Sequence, residues 1–363
     1  MQISRSVRTK RQYLKNLYAA LAAVIFLAGC SEQTPAVVEP TLVSLRGATM
    51  GTTYSILCWQ DDGPIDEQAL LKPISDLLEQ INQQMSTYIA DSELSQFNTT
   101  ESTDWFTVSP ETAFVVEQAL HFNEITGGAS DVTVGPLVKI WNFGPGKNPL
   151  AKPPSDEEIA KVLESVGCRH VEVRLNPPAL RKELPGLAVD LSSIAKGYGV
   201  DAVTELLLDR GIENVMVEIG GEVRAAGTRI DKTPWRIGVD PPAMRRRKFH
   251  KIVPLSGMSM ATSGDYRNFL KSEERKYCHI IDPRTGQPLE YRGCSVTVLT
   301  ETCLEADALA TALLVLGDQA GYDWCVEQNV AAMFLLRAGE NVEERATPRF
   351  EAVAPALSTE GKK

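Results

Sequence analysis

Neither a C-x-x-C pair nor an H-E-x-x-H motif occurs in the 363 residues, so the seven cysteines and four histidines outline no zinc site. Positive charge is scarce as well. There are 37 basic against 47 acidic residues, and the net charge of −10 disfavours a nucleic-acid partner. The run Arg245-Arg246-Arg247-Lys248 is the local exception and reads as a solvated loop. No internal repeat is present, and low complexity is confined to a tether near the start and a short tail after Pro355. The apolar run Leu17 to Ala28 is too short to span a bilayer comfortably.

That run follows Arg5, Arg8, Lys10, Arg11 and Lys15, a basic stretch free of acids, and ends in Leu27-Ala28-Gly29-Cys30. It resembles a bacterial lipoprotein signal: residues 1–29 are removed, Cys30 is lipidated, and 30–45 form a polar tether. The expectation is a protein held by acyl chains on the periplasmic side of the inner membrane. Residues 46–355 are long enough for one large core, and 356–363 form the tail. Six further cysteines sit partly within apolar runs, so buried free thiols are at least as well supported as disulfides.

Apolar spacing predicts a helix over 66–84, with Leu70, Leu71, Ile74, Leu77, Leu78 and Ile81 on one side. Ser109-Pro110-Glu111 opens a second helix, ending at Gly127-Gly128, and Ser155 opens a third in capping-box form. Strands are read at 52–58, 215–219, 235–239, 294–299 and 330–336, with a strand-like run after Asp131. Proline- and glycine-rich stretches at 143–154 and 176–185 read as surface loops. Hairpin-like strands with intervening helices argue for a single large α+β domain with mixed or antiparallel sheets and packed helices.

Two constellations carry chemistry. Asp307 and Thr311 lie four apart on an apolar helix and share one face. As hard oxygen donors they suit Mg²⁺ or Ca²⁺; alternatively Asp307 caps or ion-pairs and Thr311 bonds back to a carbonyl. Asp190, Ser192 and Ser193 precede a helix holding Lys196, which offers either an anion site at the helix mouth or a well-capped helix with a solvent-facing lysine. Ser193-Ile194-Ala195-Lys196 also matches the S-x-x-K of acylating serine enzymes. Its companions are missing, since no S-D-N follows and Arg284-Thr285-Gly286 stands in a turn. His279, at the border of an apolar pair and a proline turn, is the best of the four histidines for a general base.

Several segments in this order resemble the ApbE family, the FAD:protein FMN transferases. They are Thr49-Met50-Gly51-Thr52, Ser86-Thr87-Tyr88, Asp131-Val132-Thr133-Val134-Gly135-Pro136 with Trp141-Asn142-Phe143, Asp190-Leu191-Ser192 with Lys196-Gly197-Tyr198, Gly220-Gly221-Glu222, Thr262-Ser263-Gly264-Asp265, His279-Ile280-Ile281-Asp282, and Ala306-Asp307-Ala308-Leu309-Ala310-Thr311. The resemblance implies an ApbE-like, T-fold-related domain and a Mg²⁺-dependent enzyme. Such an enzyme takes FAD, releases AMP and leaves FMN on a threonine of another protein. Implied acceptors are subunits of the sodium-pumping NADH:quinone reductase or Rnf-type complexes. By matched position, Met50, Tyr88, Ala129, Ser130, Asp131, Asp190, Lys196 and Ile281 contact FAD. Ser193, Asp307, Ala310 (by its carbonyl) and Thr311 surround the metal. Asp307 is catalytic, and the acceptor's proton goes to His279, with Asp282 or a metal-bound hydroxide as the alternative base. Members that carry an aspartate at the Ala310 position have one more charge there. A pyrophosphatase yielding free FMN and AMP, or a flavin-carrying lipoprotein, remains the alternative.

Overall fold

The computed structural model describes residues 40–143, 153–242, 249–265, 269–271, 276–339 and 341–355. The expected signal peptide, Cys30, most of the tether, the Arg245–Lys248 run and the tail lie outside them. From Pro40 onward the chain forms one compact unit.

The chain opens with strands β1 (Val43–Thr49) and β2 (Thr52–Trp59), then helices α1 (Glu67–Met85) and α2 (Glu93–Thr99). Next come β3 (Phe106–Thr107), α3 (Pro110–Ile125), α4 (Gly135–Ile140), α5 (Asp156–Leu163), β4 (Val171–Leu175) and β5 (Pro178–Lys182). The middle holds α6 (Ala195–Leu208), β6 (Asn214–Ile219), β7 (Glu222–Ala226), β8 (Trp235–Val239), β9 (Lys251–Leu255) and β10 (Met258–Gly264). After these come β11 (Phe269–Lys271), β12 (Lys276–Asp282), β13 (Gln287–Glu290) and β14 (Cys294–Thr300). The last part is α7 (Cys303–Leu316), α8 (Asp318–Glu327), β15 (Ala331–Ala338), β16 (Asn341–Ala346) and α9 (Pro348–Val353).

Eight strands form the main sheet in the order β1-β2-β6-β7-β10-β14-β15-β16, and every pairing among the described strands is antiparallel. Side-chain alternation shows that both faces are covered. On β15, Ala332 and Phe334 pack into the core beneath α6 and α7, whereas Ala331, Met333 and Leu335 pack with Trp235, Val253 and Phe350 on the other face. Each fully buried Leu, Val or Phe contributes about 1.5–3 kcal/mol. Helix α7 is buried nearly all round, which explains its small, apolar composition, and Gly317 at a φ of 88° ends it.

Local signals place α1, α3 and α5 as expected, with Asp66, Ser109 and Ser155 as N-caps and the capping box between Ser155 and Glu158 formed. Val43 and Leu45, inside the span expected as tether, are buried in β1. Two expectations are corrected. The stretch 176–185 is no loop: Pro178–Lys182 pairs with β4 and buries Leu180. Val132–Val134 is not a strand, because the Asp131 carboxylate folds it into a turn, accepting from Thr133 N (2.7 Å) and Thr133 Oγ1 (2.6 Å). The six described cysteines are all buried and free.

Candidate functional site

Helices α6 and α7 cap one another across the chain. Asp201 of α6 accepts from the amides of Cys303 and Leu304, 2.9 Å each, at the start of α7. Asp307 of α7 accepts from the amide of Gly197 at 3.0 Å, in the first turn of α6. The approach needs glycine, since a Cβ at Gly197 would sit 2.3 Å from the Cys303 carbonyl oxygen. Asp190, Ser192 and Ser193 do not cap α6. The helix begins at Ala195 behind Ile194, which makes no side-chain cap, and the Asp190 side chain closes locally onto Ser192 N at 2.9 Å. The helix mouth is therefore not a bare anion site; a carboxylate already sits at one of its amides.

Lys196, in the same first turn, places Nζ 3.3 Å from both Asp307 oxygens and 3.2 Å from Glu222 Oε1. Both carboxylates are buried, Asp307 at 2% and Glu222 at 6% exposure. Burial works against the lysine's charge, yet Asp307 and then Glu222 hold the ammonium above the ordinary lysine range. A lysine held protonated between two carboxylates is a poor base for Ser193, which argues against the acylating-serine reading. Burial, opposed by Lys196 and reinforced by Asp307, raises the Glu222 carboxyl to about 7. Its Oε2 is buried and has no hydrogen-bond partner among the described residues. Sequence reasoning gave Glu222 no role. The available signal was Gly220-Gly221 before it: Gly220 has a φ of 66°, and a Cβ there would crowd Thr52.

Thr311, one turn along α7 from Asp307, sits 2.9 Å from Ser263 Oγ on β10 through its hydroxyl. A cleft of about 400 Å³ opens over this centre. Its walls include Tyr88, Ala129, Ser130, Asp131, Asp190, Ser193, Lys196, Glu222, His279, Ile281, Asp307 and Thr311. A second cleft of about 760 Å³, lined by Met50, Thr52, Met85, Tyr88 and Leu191 among others, shares Tyr88, Asp190, Ser192, Lys196 and Gly220 with the first. Met50 reaches that wall from the β1–β2 turn, where it and Gly51 take positive φ (49° and 70°), as primed hairpin turns require. Ala310 is the one expected site residue lining neither cleft. One position before Thr311 means a rotation of about 100° around the helix, which turns Ala310 into the core.

His279 is exposed on the cleft wall, in the stretch of β12 where pairing with β13 slips between Tyr277 and Ile281. Such irregularities re-aim side chains beside sites. Asp282 is held instead by Arg284, through its amide (2.9 Å), Nε and Nη2 (2.8 Å each), and lines neither of these clefts. Asp131 also lines the cleft, its Oδ2 accepting from Cys168 N at 3.2 Å.

Among the described residues the smaller cleft thus presents Asp131, Asp190, Glu222 and Asp307 against a single lysine. An anionic ligand entering it needs further positive charge. The donors available are hard oxygens, carboxylate and hydroxyl, which fit Mg²⁺ and not a soft ion. Among the described residues no group of three or more His, Cys, Asp and Glu is placed to hold a metal. Such an ion would accordingly rest on few protein ligands and take the remainder from phosphate and water, as Mg²⁺ commonly does.

The ApbE family model matches residues 50–334. A protein named FAD:protein FMN transferase from Vibrio cholerae is 43% identical over 338 residues, covering 93% of this chain and 98% of that one. The solved flavin transferase ApbE from Vibrio cholerae matches with a TM-score of 0.78 at 42% identity, over 86% of this chain and 99% of that one. The apo flavinyl transferase ApbE of Pseudomonas stutzeri gives a TM-score of 0.80 at 33% identity, over 88% and 98% respectively. With one family spanning the β1–β2 turn, both capped helices and the cleft between them, this chain belongs to the ApbE family.

Proposed function

We propose that this protein transfers the FMN half of FAD to a threonine hydroxyl of an acceptor protein and releases AMP. The observation that carries the reading is the pair of adjoining clefts joined at Lys196, one of them walled by Asp307, Thr311 and Ser193. Together they offer a two-part ligand room for both halves, with its bridge beside Lys196, the only lysine of the walls among the described residues. The activity named for the Vibrio cholerae relative supports the same reaction.

In this reaction the acceptor's hydroxyl oxygen bonds to the FMN-side phosphorus. The bond from that phosphorus to the bridging oxygen breaks, and AMP leaves with the bridging electron pair. His279 takes the hydroxyl proton, a step that contributes about 10²–10⁴-fold. Lys196 meets the diphosphate charge, and the walls formed by Met50, Tyr88, Ala129, Ser130, Asp131, Asp190 and Ile281 position FAD. Asp307 and Thr311, with Ser193 beside them, would hold Mg²⁺, which when bound offsets charge gathering on the phosphates. Acceptors are subunits of membrane redox complexes such as the sodium-pumping NADH:quinone reductase or Rnf, met on the periplasmic face of the inner membrane. Lipid on Cys30 holds the enzyme there; the sequence around Leu27–Cys30 supports this.

Mass spectrometry of an acceptor subunit incubated with enzyme, FAD and Mg²⁺ tests the proposal. A threonine carrying FMN, absent with Asp307→Ala, is the expected result. Release of FMN and AMP with no adduct would make the protein a pyrophosphatase, and intact FAD a carrier.

A further inference from the structure

Glu222 begins β7 and lines the same cleft as Asp307 of α7. One of its oxygens shares Lys196 with Asp307, while the other is buried and meets no hydrogen-bond partner among the described residues. A lysine's counter-ion has no need of a second carboxylate, because Asp307 already places both oxygens 3.3 Å from Nζ. What two buried carboxylates converging on one small cation lack is charge, and a divalent ion supplies it.

We infer that Glu222 is a second protein carboxylate of the cation site, acting with Asp307 and Thr311 on the ion that accompanies the dinucleotide. This rests on the reading that a divalent cation works in this cleft. Two carboxylates and one hydroxyl leave about half of an octahedral shell open, which suits an ion that must also grip phosphates and keep water. Glu222 thus supplies one ligand oxygen and one charge to the ion, and Lys196 is the cation that holds both carboxylates in its absence.

The test uses Mn²⁺ as a paramagnetic stand-in, with free Mn²⁺ counted by electron paramagnetic resonance while the full chain is titrated. Glu222→Gln should weaken Mn²⁺ binding about 10- to 100-fold with the circular dichroism spectrum unchanged. Should that variant misfold, Glu222→Asp serves, with a smaller but measurable loss expected. An affinity within twofold of the unmodified protein in the folded variant overturns the inference. If Asp307→Asn loses Mn²⁺ while Glu222→Gln keeps it, the cation reading stands and only Glu222 is excluded. If the unmodified protein binds FAD but no Mn²⁺, both fall together.

Discussion

Replacing Lys196 by methionine keeps most of the side chain's volume and removes the one ammonium between Asp307 and Glu222. Breaking a buried ion pair by deleting one partner costs about 3–5 kcal/mol, because the remaining charge is left in a dry site. Here two carboxylates remain, 2% and 6% exposed, so the upper part of that range applies. The loss must also depend on pH. In the unmodified protein the Glu222 carboxyl is raised from 4.5 to about 7, so the folded state holds a proton that the unfolded chain has released. That contribution is fully present below about 4.5 and fades as pH rises through about 7. Removing Lys196 pushes Glu222 further the same way, so the variant's deficit should be larger at pH 8 than at pH 5. Urea unfolding of both proteins in EDTA at the two pH values measures this. Mg²⁺ at 100 times its Kd should then return about 2.7 kcal/mol. A deficit below about 1 kcal/mol, or one equal at both pH values, would refute the charge accounting.

Three other substitutions probe the same architecture. Gly197→Ala drives a Cβ to 2.3 Å from the Cys303 carbonyl, where backbone cannot yield, and should destabilise by about 3 kcal/mol in urea melts. Asp201→Ala strips the caps from Cys303 and Leu304 and leaves Arg224 without one partner, costing about 2 kcal/mol by the same assay. Tyr88→Ala removes an aromatic side chain that is 68% exposed at the junction of the two clefts. It should leave Tm within a degree or two while weakening FAD binding by about tenfold in fluorescence titrations.

What the sequence discloses here is what neighbours along the chain decide. The apolar stripe of α1, the Ser109-Pro110 start of α3 and the capping box at Ser155 are local, and each is where periodicity or capping chemistry puts it. Asp307 and Thr311 were legible as a pair because helical spacing alone places them one turn apart. The rest of the centre is made at long range. The bond from Gly197 to Asp307 spans 110 residues, and the caps from Asp201 span 102 and 103. No window of sequence shows that Asp307 completes another helix's first turn, so local reasoning credited Ser192 and its neighbours instead. Glu222 was hidden for the same reason: its meaning comes from Lys196, on a different element. The stretch after Asp131 misled because its strand-like composition is overruled by one carboxylate bonding to the Thr133 amide and hydroxyl.

A divalent ion and the FAD bridge are proposed to meet at Asp307, and one measurement addresses that meeting directly. Phosphorus relaxation of FAD bound to the Mn²⁺-loaded protein reports the ion's distance from the two phosphates. Strong broadening of both resonances, abolished in Asp307→Asn at equal free Mn²⁺, is the predicted result. Phosphorus lines that stay sharp while FAD and Mn²⁺ are both bound would contradict it.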